Sequence, residues 1–168
     1  MYCRSSTYLP VFLCCTIVLR CTCKKIIKYS TKEYLIHELP PDEENKNFET
    51  TLDLIKFLDI HKLKRVSEPL IAIGGGVTLD IASFAASIYR RGVPIIKIPT
   101  NLLSIVDACV GVKTGINLGL MRNRIGTYYP PSKVLVDKNF LNTCSSRHIS
   151  NLSLIHISEP TRLLSISY

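Results

Sequence analysis

Residues 70–100 read LIAIGGGVTLDIASFAASIYRRGVPIIKIPT, and the order of residue types in this stretch decides the fold. Leu70 to Ile73 is a short apolar run ahead of three glycines, the pattern of a buried strand. Val77, Ile81, Phe84 and Ile88 recur at i, i+4, i+7 and i+11, which predicts an amphipathic helix over Thr78–Arg90. Gly92 lies just past it, where a helix commonly stops. Val93 to Ile98, closed by Pro99, is a second strand-like run. Strand, glycine turn, helix, strand makes a βαβ unit, for which a parallel sheet is expected.

Outward from this unit, Leu54, Ile55 and Leu58 form one face of a helix over Thr50–Ile60, and Lys133–Asp137 (KVLVD) is a third strand-like run. No internal repeat or long linker interrupts the α and β elements between about Lys24 and Asn151. The chain has 168 residues, 46% hydrophobic and 20% charged, which excludes a disordered or low-complexity chain. Its net charge of +8 first suggests nucleic acid or an anionic membrane. The distribution argues otherwise: residues 1–30 hold five Lys/Arg and no acid, whereas residues 31–151 hold fifteen Lys/Arg against twelve Asp/Glu. The basic residues there are dispersed rather than interleaved with aromatics on one face. No nucleic-acid partner is expected.

Five of the seven cysteines fall within the first 23 residues, around the apolar run Tyr8–Leu19. That run is shorter than the roughly 18 residues a spanning helix needs, and the following Arg20-Cys-Thr-Cys is not a small-residue cleavage site. Cys21-x-Cys23 lacks zinc-ligand spacing. Residues 1–23 are therefore expected to be a non-native N-terminus outside the fold, with no membrane attachment and a cytoplasmic location.

Gly74-Gly75-Gly76 stands between the end of a strand and the start of a helix, where the backbone can approach a phosphate and helix N–H groups are free. The last glycine of GxGxxG is replaced by Leu79, and no Lys-Ser/Thr follows, so neither the dinucleotide fingerprint nor the P-loop is matched. Phosphate or nucleotide binding and a plain tight turn both remain open on the residues alone. So do two roles for Asp80, a ligand contact or a favourable interaction with the helix dipole. A second cluster places Asp107, Lys113, Arg122, Asn123 and Arg124 among Gly111, Gly115, Gly119 and Gly126. It reads as a loop shaped around a small anionic ligand, or as a solvated loop with scattered charges. The four histidines show no metal-ligand spacing, and no G-x-S-x-G occurs.

AIGGGVTLDIASFAASIYRRG, IPTNLLSIVDACVGVKTGIN, RNRIGTYYPP and VLVD, in this order between about Leu39 and Asn151, resemble the 3-dehydroquinate synthase superfamily of sugar phosphate cyclases. Val112, Leu118, Arg124 and TYYPP look more like its sedoheptulose 7-phosphate cyclases than like dehydroquinate synthases proper. That group includes the 2-epi-5-epi-valiolone and desmethyl-4-deoxygadusol synthases. The resemblance implies a Rossmann-like α/β NAD-binding domain with a parallel sheet, followed in the family by a helical metal-binding domain. It implies a phosphate-eliminating carbon–oxygen lyase that uses NAD and a divalent metal, zinc or cobalt.

Position by position, Gly74, Gly75, Gly76 and Asp80 match the family's NAD-binding motif, and Glu43 and Lys46 match its E-x-x-K on the adenosine side. Thr100 matches the first threonine of the family's PTT, while Asn101 replaces the second. Asp107 and Lys113 match the substrate-binding pair that the resemblance makes catalytic. Asn123 matches the asparagine of the KN pair at the substrate phosphate, with Arg122 in place of the lysine, a change of geometry at constant charge. Arg91 matches an arginine that reaches a neighbouring subunit's phosphate, so a homodimer is implied. The family's metal ligands have no counterpart, and its first strand has none before Cys23. Residues 152–162, LSLIHISEPTR, read as a translated sequencing adapter, and residues 152–168 are set apart from the fold on that ground. The expectation is a partial NAD-binding domain over residues 24–151 of a cyclase for sedoheptulose 7-phosphate, a small-molecule sugar phosphate, inactive as this chain. The alternatives are 3-dehydroquinate synthase and a non-catalytic nucleotide-binding module.

Overall fold

In the computed structural model of the protein, the described residues are Val11–Cys15 and 35–143. The expectations for residues 1–10, 16–34 and 144–168, including the adapter-derived tail, lie outside them. In chain order the strands are β1 (Val11–Cys15), β2 (Leu35–Leu39), β3 (Leu70–Gly74), β4 (Ile95–Pro99), β5 (Lys113–Leu118), β6 (Met121–Tyr128) and β7 (Lys133–Val134). Two α-helices stand among them, α1 (Phe48–Ile60) and α2 (Gly76–Ile88). Five strands form one parallel sheet in the order β2-β1-β3-β4-β7. β5 and β6 form a separate antiparallel hairpin.

The predicted βαβ unit is β3–α2–β4, with Ile71 opposite Ile96 and Gly74 opposite Pro99. β3 is buried on both faces, as a continuous apolar strand requires. α2 begins two residues earlier than its periodicity suggests and is buried around most of its circumference, from Thr78 through Ala86. Small residues allow this: Ala82, Ser83, Ala85 and Ala86 let the helix lie close to the sheet, to α1 and to the hairpin. Thr127 Oγ1 donates to Ser87 Oγ at 2.8 Å, pinning the hairpin to the helix. Asn47 caps α1 by accepting from the Thr50 amide at 2.9 Å.

After Ile88 the chain does not stay helical to Arg90. Arg90 (φ 49) and Arg91 (φ 64) adopt left-handed conformations before Gly92 (φ 112). Arg90 Nη1 donates to the Leu63 carbonyl at 2.8 Å and holds this turn. KVLVD shortens to a two-residue strand, β7.

Two departures are larger. No counterpart of a first strand is expected before Cys23, yet Val11–Cys15 pairs with both β2 and β3 inside the sheet. The glycine-rich stretch after Asp107 is not an open loop from Lys113 onward but the β5–β6 hairpin. Its glycines serve close approach: Gly115 faces Gly126 across the ladder, and a Cβ on Gly126 would collide with the Thr114 carbonyl.

Candidate active site

The site lies at the carboxyl ends of β3 and β4, the edge where open parallel sheets receive ligands. β3 delivers Gly74, and the chain turns through Gly75 into α2. The Thr100 amide donates to the Gly74 carbonyl at 3.0 Å, tying the end of β4 to this turn. A Cβ on Gly75 would meet Asn101 Nδ2 at 2.7 Å, whereas one on Gly76 would meet nothing within 4 Å. Gly75 therefore answers to packing and Gly76 to open space at the helix start, which suits a phosphate-bearing cofactor.

Asn101, the departure from the family's second threonine, caps the next turn. Its Oδ1 accepts from the Ser104 amide at 2.8 Å, and Ser104 Oγ donates back to the Asn101 carbonyl at 2.9 Å. That turn, a π-helical segment over Ser104–Ala108, carries Asp107 to the surface. Asp107, Asp80, Lys113 and Asn123 then line one open cleft of about 420 Å³, whose far wall is the hairpin. Four residues singled out in the sequence are brought together here.

Lys46 reaches the same place from the turn before α1. Its ammonium is 2.6 Å from Asp80 Oδ2 and donates to Asn123 Oδ1 at 2.7 Å, with the residue only 5% exposed. Asp80 is thus an ion-pair partner rather than only a complement to the helix dipole. Burial nevertheless raises its pKa above the ordinary carboxylate value. The Lys46 hydrogen bond and charge, and the charge of Lys97, oppose that rise, while Asp107 adds to it. Glu43 accepts from Asn117 Nδ2 at 3.0 Å. Arg122 is not among the residues lining the cleft and faces a second pocket with Glu43 and Asn117. Arg91 lines neither pocket and is exposed beyond the end of α2. Within one chain, then, the expected phosphate set of Arg91, Arg122 and Asn123 is divided.

Two residues of this region escaped the sequence reading. Lys97 is fully buried in β4 and donates to the Ala108 carbonyl at 2.9 Å, next to Asp107. Burial lowers its pKa, and the charges of Asp80 and Cys109 partly offset this. A signal was present: Lys97 shares the strand parity of Ile95 and Pro99, the buried face. Asn117 is the other, and nothing in its spacing marks it. Among the described residues no three His, Cys, Asp or Glu side chains form a metal site. No helix among them is long and apolar enough to cross a membrane.

A glycine turn at a switch from parallel strand to helix, facing a cleft of two carboxylates, an amide and a lysine, is the layout of a nucleotide-binding α/β domain. A family profile described as 3-dehydroquinate synthase N-terminal matches residues 36–151, and the chain belongs to that family. It is 46% identical over 128 residues to a 2-epi-5-epi-valiolone synthase of an Actinomyces species, covering 76% of this chain and 34% of that protein. It is also 46% identical over 123 residues to 3-dehydroquinate synthase of Campylobacter jejuni subsp. doylei, covering 73% of this chain and 35% of that protein. The chain thus spans about a third of the length of these relatives.

Among solved structures, ValA, the 2-epi-5-epi-valiolone synthase of Streptomyces hygroscopicus subsp. jinggangensis 5008 with NAD+ and Zn2+ bound, superposes with a TM-score of 0.83 at 34% identity. The match covers 86% of this chain and 41% of ValA. A 2-deoxy-scyllo-inosose synthase shares the fold, with a TM-score of 0.75 at 24% identity over 85% of this chain and 40% of that one.

Proposed function

We propose that this chain is the NAD+-binding portion of a sugar phosphate cyclase acting on sedoheptulose 7-phosphate. The observation that carries the reading is the convergence of Asp80, Asp107, Lys113 and Asn123 on one cleft beside the Gly74–Gly76 turn. The likeness to 2-epi-5-epi-valiolone synthases supports the choice of substrate class.

NAD+ bound at the turn would supply transient oxidation of a sugar hydroxyl, which acidifies the neighbouring C–H and permits loss of phosphate. Gly76 and the start of α2 would receive its phosphates, with Thr100 and Asn101 beside the turn, while Glu43, in the neighbouring pocket, would reach the adenosine side. Lys113, exposed at the cleft mouth, provides the cation that an anionic sugar needs. Asp107 offers a carboxylate to sugar hydroxyls. Asn123, its side chain held by Lys46, donates through its amide nitrogen. Lys46 compensates the charge of Asp80 and opposes the rise in pKa that burial imposes on its carboxyl. Arg91 serves a neighbouring copy's cleft in a homodimer, in the cytoplasm. The described residues supply no zinc or cobalt ligand set, and the chain is expected to bind NAD+ without turnover.

Isothermal titration of the 168-residue chain with NAD+ tests the reading. Saturable binding is expected, and its absence overturns it. Turnover of sedoheptulose 7-phosphate by the same chain would overturn the inactivity. The equal identity to a 3-dehydroquinate synthase favours a second reading, the shikimate-pathway reaction. A full-length form that cyclises the heptulosonate phosphate and ignores sedoheptulose 7-phosphate would establish it instead.

A further inference from the structure

We propose that Asn117 is the positioning residue that sets Glu43, Lys46 and Asn123 for ligand, a role that rests on the cleft being the NAD+ and sugar phosphate site. The ladder of the hairpin runs in register as far as Ile116 opposite Ile125, then shifts, so that Leu118 faces Met121. The extra residues of β6 form a bulge, with Asn123 in a left-handed conformation (φ 52). A bulge frees backbone groups from the ladder. Asn117, opposite it, takes one of them: its Oδ1 accepts from the Asn123 amide at 2.9 Å.

The other end of the same side chain faces the turn before α1. Nδ2 donates to Glu43 Oε1 at 3.0 Å and to the Glu43 carbonyl at 3.3 Å. The Asn117 amide donates to the Lys46 carbonyl at 2.7 Å. Chemistry fixes the orientation of the carboxamide, because a flipped group would set NH2 against a donor and oxygen against a carboxylate. One residue thus holds the backbone of Lys46 and the carboxylate of Glu43 on one side and the backbone of Asn123 on the other. The Lys46–Asn123 side-chain bond then closes the ring. Only a side chain that is both donor and acceptor fits; Asp has the shape without the donor and adds a like charge beside Glu43.

The test uses the 168-residue chain with NAD+ as probe, in Asn117→Asp, Glu43→Gln and the double variant. Asn117→Asp is expected to weaken NAD+ binding about tenfold, the scale of a lost hydrogen bond to a charged group. The double variant restores the bond with donor and acceptor exchanged, so it should bind NAD+ more tightly than Asn117→Asp alone. Wild-type affinity in Asn117→Asp, or losses that simply multiply in the double variant, would overturn the proposal. Hydrogen exchange of the Asn123 amide, read by NMR, serves as a second measurement. It should accelerate in Asn117→Ala, and an unchanged rate overturns the positioning role even if the wild-type chain binds no NAD+. That last result would sink the functional reading by itself.

Discussion

The ammonium of Lys46 stands 2.6 Å from the carboxylate of Asp80, and the pair joins the turn before α1 to the first turns of α2. Each partner is mostly withdrawn from water, so neither tolerates the loss of the other.

Lys46→Met should accordingly destabilise the chain by about 2–3 kcal/mol, less than for a fully buried pair because Asp80 keeps some solvent contact. Urea unfolding at pH 7 measures the loss. Without Lys46 the native state favours protonated Asp80 more strongly still. The deficit should therefore shrink as pH falls through the raised folded-state pKa of Asp80, where the carboxyl becomes neutral, and be gone by the ordinary carboxylate value of 3.8. A deficit independent of pH would show that Asp80 does not depend on Lys46.

Lys97 gives the opposite dependence. Its pKa is depressed in the folded chain, so the native state sheds the proton before the unfolded chain does. Stability should rise as pH climbs through the depressed value toward 10.5, and be lost again as pH falls. Lys97→Met removes the buried charge and should flatten this part of the stability–pH curve. Parallel curves for the two proteins would contradict the assignment.

Two glycines separate folding from binding. Gly126→Ala drives a methyl group into the Thr114 carbonyl and should cost about 1–3 kcal/mol or more, by the usual scale of overpacking. Gly76→Ala meets open space within a helix and should leave the melting temperature equal or higher. It should nevertheless reduce NAD+ affinity, because the methyl occupies the cofactor's approach. Calorimetry and titration on the same two samples distinguish these outcomes.

Arg91 is exposed, with φ at 64°, a conformation that costs an L-residue about 1–2 kcal/mol. Arg91→Gly should hold or raise chain stability, by at most about 1 kcal/mol after glycine's own entropy is counted. In a full-length dimer the same change should weaken sugar phosphate binding if Arg91 serves the neighbouring cleft. Unaltered binding in that dimer would remove Arg91 from the site.

The β3–α2–β4 unit was legible because its signals are local: an apolar run, a glycine turn and a repeat of apolar residues. Asp80, Asp107, Lys113 and Asn123 were legible through motif resemblance, and the structure gathers all four. The hairpin was not. Gly115 and Gly126 look like loop formers in isolation, and their facing register appears only once the strands pair. Lys97 was hidden by the habit of assigning lysine to the surface, although its strand parity pointed inward. Asn117 could not be read at all, since its importance comes from a register shift that no single position records. β1 is not legible because Val11–Cys15 lies within one continuous apolar run, Tyr8–Leu19, whose periodicity does not distinguish strand from helix.

The ring closed by Lys46, Asn117 and Asn123 also bears on how the domain folds. The bond from Lys46 to Asn123 spans 77 residues of chain, and that from Asn117 to Glu43 spans 74. Closing such long loops is entropically costly until the intervening sheet has brought their ends together. β5 and β6 can meet early, being neighbours in sequence, and β3–α2–β4 can nucleate around its own apolar contacts. The cleft needs these two pieces and the turn before α1 to come together, so the Lys46–Asn123 bond reports completion of the domain rather than its beginning.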